Sequence, residues 1–424
     1  MNRRLLGIGL LFVSVFACPA GKADAGVAET DFKKEPFFPI VGYNFLWRTN
    51  ERIVREQAEM GLTLITLYDE TELDWCARYG MKGIVYRPEL DQLLRSPDDD
   101  ALKRQIRQTV LQFRKHPAFF AMQYTDEPSK QVLPGYTQAC GIIKKAAPEH
   151  MLYTNLFPSW SQPYQHGFEN YREYLEAFCK LYSNHPKPLL VYDNYRCKDK
   201  RLRPEEQVAS YLENLNTVRS LTQDYNMPFW VTVMGAAHDD FGEPSAADLD
   251  LQVFCALAYG AKGIGYFTTV SHPNMNFQGG PFNVLGDKTQ TYWNMRELNY
   301  RVRRMAPVLN TLESAGCYFS LSLRDRMVFK NYPMHKPLPG KLVESLSSEN
   351  GNCSFLVGEF KDDRGKNWVL IVNLSRTETA RFQASLLHGK KLQSFNSYTG
   401  TLFPASYQDP WLRPGQGKLY QVID

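Results

Sequence analysis

The 424-residue chain has no strong charge of either sign. Lys and Arg number 49 against 45 Asp and Glu, a formal +4. Without residues 1–25, which hold Arg3, Arg4, Lys22 and Asp24, the surplus is +2. That balance leaves no electrostatic footprint for nucleic acid or for an acidic membrane surface. Cysteine is sparse and unpatterned. Cys76, Cys140, Cys179, Cys197, Cys255, Cys317 and Cys353 form no CxxC pair, and a chain of this length does not need disulfide staples. Neither GxGxxG nor GxxxxGK[ST] follows any strand-like run, so nothing supports a nucleotide site. The histidines form no HxH or HExxH arrangement, so no metal site is expected. No motif calls for a cofactor. Beyond the first 25 residues no stretch reaches ~18 consecutive apolar residues, so no transmembrane span is expected there.

What is present begins with a leader. Arg3 and Arg4 precede an apolar run from Leu5 to Ala17, and Ala23-Asp24-Ala25 fits a small-x-small cleavage site. Residues 1–25 therefore read as a signal peptide, and the mature chain as secreted or periplasmic. A rival is lipoprotein processing at Cys18, for which bulky Phe16 is a poor neighbour. Hydrophobic residues at 43% and charged residues at 22% describe a globular chain. Aromatics at 13% suit a large core, and they also suit sugar-binding clefts.

From residue 38 to about 312 one pattern repeats. A short apolar run is followed by a polar loop and then an amphipathic helical run. The strand candidates cover 38–45, 62–69, 81–88, 119–128, 150–158, 189–197, 227–235 and 261–269. They are nearly continuously apolar, as expected of strands covered on both faces. Between them lie helical stretches with recognisable ends. Asn50 can cap a helix that closes at Gly61, Pro204 opens another, and Ser245 caps a third that Gly260 ends. Eight strand-then-helix units predict a (β/α)₈ TIM barrel over residues 33–312, with a doubly wound open sheet as runner-up. After residue 313 short alternating segments separated by turns replace the helical period. Residues 313–424 therefore read as a small all-β sandwich.

A barrel does its chemistry at the C-terminal ends of its strands. Those ends offer Tyr43, Asn44 and Trp47; Tyr68; Arg87; Tyr124, Asp126 and Glu127; Asn155; Tyr192, Asp193, Asn194 and Tyr195; Trp230 and His238; and Tyr266 and His272. This is a set of carboxylates, amides and aromatic rings. Carboxylate pairs move protons to and from glycosidic oxygens, amides bond hydroxyls, and aromatic faces stack on sugar rings. Asp126-Glu127-Pro128 is the sharpest feature. Other paired acids lie in loops or at helix starts, whereas an apolar strand delivers this pair to the fourth strand end, and Pro128 halts the ladder there.

KHPAFFAMQYTDEPS (115–129) resembles the fourth-strand segment of clan A glycoside hydrolases, where Asn-Glu-Pro or Asp-Glu-Pro carries the acid/base. LAYGAKGIGYFTT (257–269) is similar to the segment entering strand 8 in β-galactosidase-like barrels, family 42 among them. LRPGQGKLYQV (412–422) resembles the closing hairpin of β-domains appended to such barrels. The resemblance implies that Glu127 is the acid/base and that Asp126 contacts the sugar 2-substituent. It then breaks, because the clan's nucleophilic Glu at the end of strand 7 has no counterpart in MPFWVTVMGAAHDD (227–240). Three substitutes are open. Asp193 is nucleophile or base, or Asp126 orients a substrate 2-acetamido group, or Asp239, Asp240 or Glu243 folds back from the strand 7 loop. Asp193 ranks first, because a strand end fixes geometry better than a loop.

The sequence thus predicts a secreted glycoside hydrolase acting on a carbohydrate by a two-carboxylate mechanism. Glu127 donates a proton to the leaving oxygen and Asp193 activates water or attacks. Rivals are a non-catalytic carbohydrate-binding barrel and a polysaccharide lyase with Tyr192 or His272 as base.

Overall fold

The computed structural model describes residues 36–44, 49–87, 94–96, 98–273 and 276–424. The leader with Cys18, together with Trp47 and Glu89, lies outside the described residues. All eight strand candidates are strands. They are β1 Ile40–Gly42, β2 Leu64–Leu67, β3 Lys82–Tyr86, β4 Phe119–Gln123, β5 Met151–Tyr153, β6 Leu190–Asp193, β7 Phe229–Met234 and β8 Ile264–Phe267. Every pairing is parallel, in the order β5-β4-β3-β2-β1-β8-β7-β6. The two ends of that order meet at a parallel bridge between Leu156 and Tyr192, where Leu156 N–H donates to Val191 C=O at 2.9 Å. This joins the last pair of strands and completes a (β/α)₈ barrel.

One principal helix follows each strand: α1 Glu51–Glu59, α2 Glu70–Arg78, α3 Asp100–Phe113, α4 Leu133–Ala146, α5 Tyr171–Tyr182, α6 Pro204–Asp224, α7 Ala246–Ala258 and α8 Gln290–Leu309. Local chemistry sets their ends. Asn50 Oδ1 accepts from Ile53 N–H, and Asp69 and Glu72 form a reciprocal capping box that starts α2. Ser245 and Asp248 cap α7 in the same way. After α7, Gly260 takes φ +93°, a left-handed turn that a side chain would strain.

Inside the barrel, alternate residues of each strand meet. Val41, Leu64, Ile84, Ala121, Tyr153, Val191 and Trp230 form a buried inner cluster. The neighbours one step along (Ile40, Ile65, Val85, Met122, Leu190, Val231) face the helices in a separate core. Trp230 fills the inner floor. Its ring stacks on Phe120 at 5.8 Å and lies 6.2 Å from Tyr153. It needs the glycine at 263, where a Cβ would sit 2.6 Å from the indole.

Beyond α8 the chain becomes antiparallel. A six-stranded sheet and a three-stranded sheet are built from β9 Glu313–Ser320, β10 Val343–Ser348, β11 Phe355–Lys361, β12 Asn367–Asn373, β13 Ala380–Leu386, β14 Lys391–Asn396, β15 Thr401–Leu402, β16 Trp411–Leu412 and β17 Gly417–Ile423. The alternating pattern gave no sign of the short helix α9 Leu323–Phe329, which Ser322 caps by accepting from Asp325 N–H. The larger sheet packs on α7. Gly358 and Gly417 make this approach possible, because a Cβ would fall 2.3 Å from Ala258 O or 2.5 Å from the Phe254 ring. Every residue of α7 from Asp248 to Ala258 is buried. Among the described residues no helix is long and apolar enough to cross a membrane.

Candidate active site

Two strands deliver the acids. Strand β4 ends at Gln123, and the chain turns through Asp126 and Glu127; β6 ends on Asp193 itself. Glu127 has φ 44°. Among the described residues, the other non-glycine ones with positive φ are Asn226, Asp239, Asn276 and His388, types that tolerate this region. A glutamate there costs of order 1–3 kcal/mol and persists only where its surroundings hold it. Here they do, since Glu127 N–H donates to Asn155 C=O at 2.9 Å.

Asn155 is the centre of the arrangement. Its Oδ1 accepts from Thr232 Oγ1 at 3.1 Å, which leaves its amide N–H groups for carboxylates. It faces both Asp126 and Asp193 and favours their ionised forms. Thr232 in turn reaches the Tyr43 hydroxyl at 3.4 Å, and Tyr43 is hydrogen-bonded to Tyr153. A buried polar ladder from three strands, β1, β5 and β7, thus supports the acids from beneath. Tyr195 adds a hydroxyl to Asp193 from the side.

All three carboxyls hold their protons more tightly than usual. Glu127 is pushed up by burial first, then by the charges of Asp193 and Asp126. Asp193, 5% exposed, is pushed well up by burial and by Asp126, with partial relief from Tyr195 and Asn155. Its Oδ1 is buried and meets no hydrogen-bond partner among the described residues. Asp126 is exposed at the surface, yet the protein packed around it raises its pKa too, against the Glu127 N–H and Asn155. The three groups cannot all be ionised together, so the site stores protons near neutrality.

One wall is aromatic. Tyr195 stacks on Phe267 at 5.8 Å and meets His238 and Phe241 edge-on at 5.1 and 5.5 Å. Phe277 lies flat against His238 at 5.3 Å and 6.1 Å from His272. Burial lowers the His238 pKa, so this imidazole is neutral. Trp160 is partly exposed beside Tyr195 and Phe241, with the Arg196 guanidinium 4.6 Å from its ring centre. Phe241, Phe267, Phe277, Tyr153 and Thr232 were not singled out from the sequence. Strand parity was the signal for Tyr153, Thr232 and Phe267, since each lies two residues from another inward position.

The structure therefore brings together Asp126, Glu127, Asp193, Asn155, Tyr195 and Tyr43, with His238 and His272 on the aromatic wall. Other expected site residues lie elsewhere. Tyr192 and Tyr124 point outward into the helix core, as does Tyr266, whose hydroxyl donates to Asn299 on α8 at 2.8 Å. Each is one residue out of phase with the inner face. Asn44 is buried against α1 and β2, bonding Gln57, Thr66 and Thr269. Asn194 pins the turn after β6 through Tyr211 C=O and Arg196 N–H. Trp230 is floor, not platform. Tyr68 meets Tyr86 at 6.0 Å on the rim. Arg87 N–H bonds Gln123 C=O, and its charge acts on the outward Tyr124. In the strand 7 loop, Asp240 pairs with Arg201 at 3.7 Å, Asp239 N–H bonds Asn276, and Glu243 is exposed. The charges acting on Glu127 are instead Asp193 and Asp126. Among the described residues no group of three or more His, Cys, Asp or Glu is placed to hold a metal ion.

No protein-family model and no curated protein matches the chain. Solved structures do. A glycoside hydrolase aligns with a TM-score of 0.56 at 11% identity, over 92% of this chain and 93% of its own. A family 5 glycoside hydrolase from Bacteroides vulgatus aligns at 0.51 and 10% identity, over 92% and 89%. A β-galactosidase from Marinomonas ef1 aligns at 0.49 and 11% identity, and the chain spans only 60% of its length. At these identities the likeness is one of fold. It covers both the barrel and the antiparallel region.

Proposed function

We propose that the protein is a secreted glycoside hydrolase, with a catalytic barrel over residues 33–312 and a sandwich over 313–424, acting on a carbohydrate without a cofactor. The observation that carries this reading is the placement of Asp126 and Asp193 about one buried side-chain amide, Asn155, with Glu127 beside them, tied through its backbone N–H to the Asn155 carbonyl in a conformation glutamate rarely adopts. Glu127 keeps its proton at neutral pH and gives it to the leaving glycosidic oxygen. Asp193, the buried acid from the facing strand end, takes a proton from water or attacks the anomeric carbon. Asp126 bonds the sugar beside the cleaved linkage. Tyr195 steadies Asp193, and Trp160 offers a ring face to a sugar.

The end of β7 favours a second reading. It passes from Met234 into Gly235-Ala236-Ala237 with no acid, which fits a barrel that binds a glycan without cutting it.

Hydrolysis of a panel of aryl glycosides and plant, algal and host glycans separates the two. Under the first reading Glu127→Gln and Asp193→Asn each lose about a hundred- to ten-thousandfold in turnover while remaining folded. A wild-type protein that cleaves nothing yet retains a glycan, with Glu127→Gln retaining it equally, would establish the second.

A further inference from the structure

The turn after β6 carries Asp193 and Tyr195 into the site, and it is not held by the barrel alone. Asn194 anchors it to Tyr211 C=O at 3.2 Å. Asp199, fully buried, gathers Arg196 and Arg201, and its carbonyl accepts from Gln207 at 2.8 Å. One further group arrives from the antiparallel region. Arg376 lies in the connection between β12 and β13, a turn fixed by Ser375 N–H to Asn373 Oδ1 and by Glu378 N–H to Ser375 Oγ. Its guanidinium donates to Cys197 C=O and Gln207 Oε1, both at 2.8 Å, to Pro204 C=O at 3.1 Å and to Asp248 Oδ1 at 3.4 Å. Asp248 also binds Lys198 Nζ at 3.0 Å. Arg376 thus ties the turn at residues 197 and 198 to the starts of α6 and α7. Cys197 is two residues from Tyr195 and next to Arg196, whose guanidinium backs Trp160.

We infer that Arg376 is a positioning residue. It fixes the β6 turn, and so makes the antiparallel region a working part of the site. A planar fork with several donors suits this task, because it locks four backbone and side-chain acceptors in one geometry; a lysine offers a single ammonium. The inference rests on the glycosidase reading for its kinetic consequence but not for its structural one.

The test compares Arg376→Ala and Arg376→Lys with Arg413→Ala in the full chain. Arg413 also joins the two regions, bonding Glu297 at 3.0 Å, but it does not touch the β6 turn. Amide exchange over residues 194–203 is measured by mass spectrometry. The pH profile of kcat and of KM is measured on the best aryl glycoside, with Glu127→Gln alongside. Arg376→Ala is expected to speed exchange in that segment and lower kcat roughly ten- to a hundredfold, with KM changed far less. It is also expected to move the acidic limb to lower pH, because burial is the larger influence on Asp193 and a loosened turn relieves it. Arg376→Lys recovers part of the loss, and Arg413→Ala changes neither readout. The inference falls if exchange is the same in Arg376→Ala and Arg413→Ala, or if exchange rises while kcat and the acidic limb stay put. If Glu127→Gln is silent, or no glycoside is cleaved, the glycosidase reading fails, and exchange alone decides whether Arg376 holds the turn.

Discussion

The lower and upper interior of the barrel are lined by the same strands at the same phase, yet they are built from opposite materials. Val41, Ala121, Tyr153, Val191 and Trp230 close the floor. Two residues further along the same strands stand Tyr43, Gln123, Asn155, Asp193 and Thr232. Each of these five strands commits one inward residue to packing and the next to polarity. The lower layer removes apolar surface from water. The upper layer buries acids and amides whose demands are only partly met, as the unpartnered Oδ1 of Asp193 shows. Stability and reactivity are thus separated by two residues of strand, about 7 Å.

The separation is open to experiment. The largest effect expected is that of Glu127→Gln, a drop in kcat/KM of about a thousandfold with the unfolding midpoint unchanged or raised. A parallel fall in stability, read by thermal unfolding, would make the upper layer structural. Next, Trp230→Ala should cost about 3–5 kcal/mol in urea denaturation, by opening a cavity beneath the site. Its folded fraction should keep near-normal KM, and a selective loss of substrate affinity would show that the floor is part of the cleft. Smaller is the gain expected of Asp193→Asn. Burial and Asp126 raise the Asp193 pKa in the folded protein. The cost of that rise is absent below the ordinary carboxylate range and grows as pH climbs from there towards the raised value. The variant should therefore be about 1 kcal/mol more stable than wild type at pH 7, and the difference should vanish near pH 4. Equal gains at both pH values would remove protonation as the cause. Smallest is Tyr195→Phe. Its hydroxyl favours the ionised Asp193, so losing it should shift the acidic limb of the rate profile to higher pH, and an unmoved limb would take Tyr195 out of contact with the working acid.

The architecture was legible because parallel strands covered on both faces read as apolar runs bounded by caps and glycines. Asn50, Ser245, Gly61 and Gly260 sit at helix ends as their chemistry requires. The acids were legible too, since Asp126, Glu127 and Asp193 lie where strands stop. Phase was not. Tyr192 and Asp193 are adjacent, and only one can look inward; a list of strand-end residues takes both. The same one-residue slip carried Tyr124 and Tyr266 into the helix layer. Asn155 illustrates another gap. Its residue type suggested sugar binding, but its partners, Thr232 from β7 and two acids from β4 and β6, are brought together only by closure of the barrel.

Helix α7 has no wet side from Asp248 onward: one flank serves the barrel, and the glycines at 358 and 417 lay a β-sheet on the other. A chain cut after residue 312 would strand that flank in water, an apolar ridge ending in Ala256, Leu257 and Ala258. The two regions are therefore not cassettes that recombination can exchange or a protease can part cleanly.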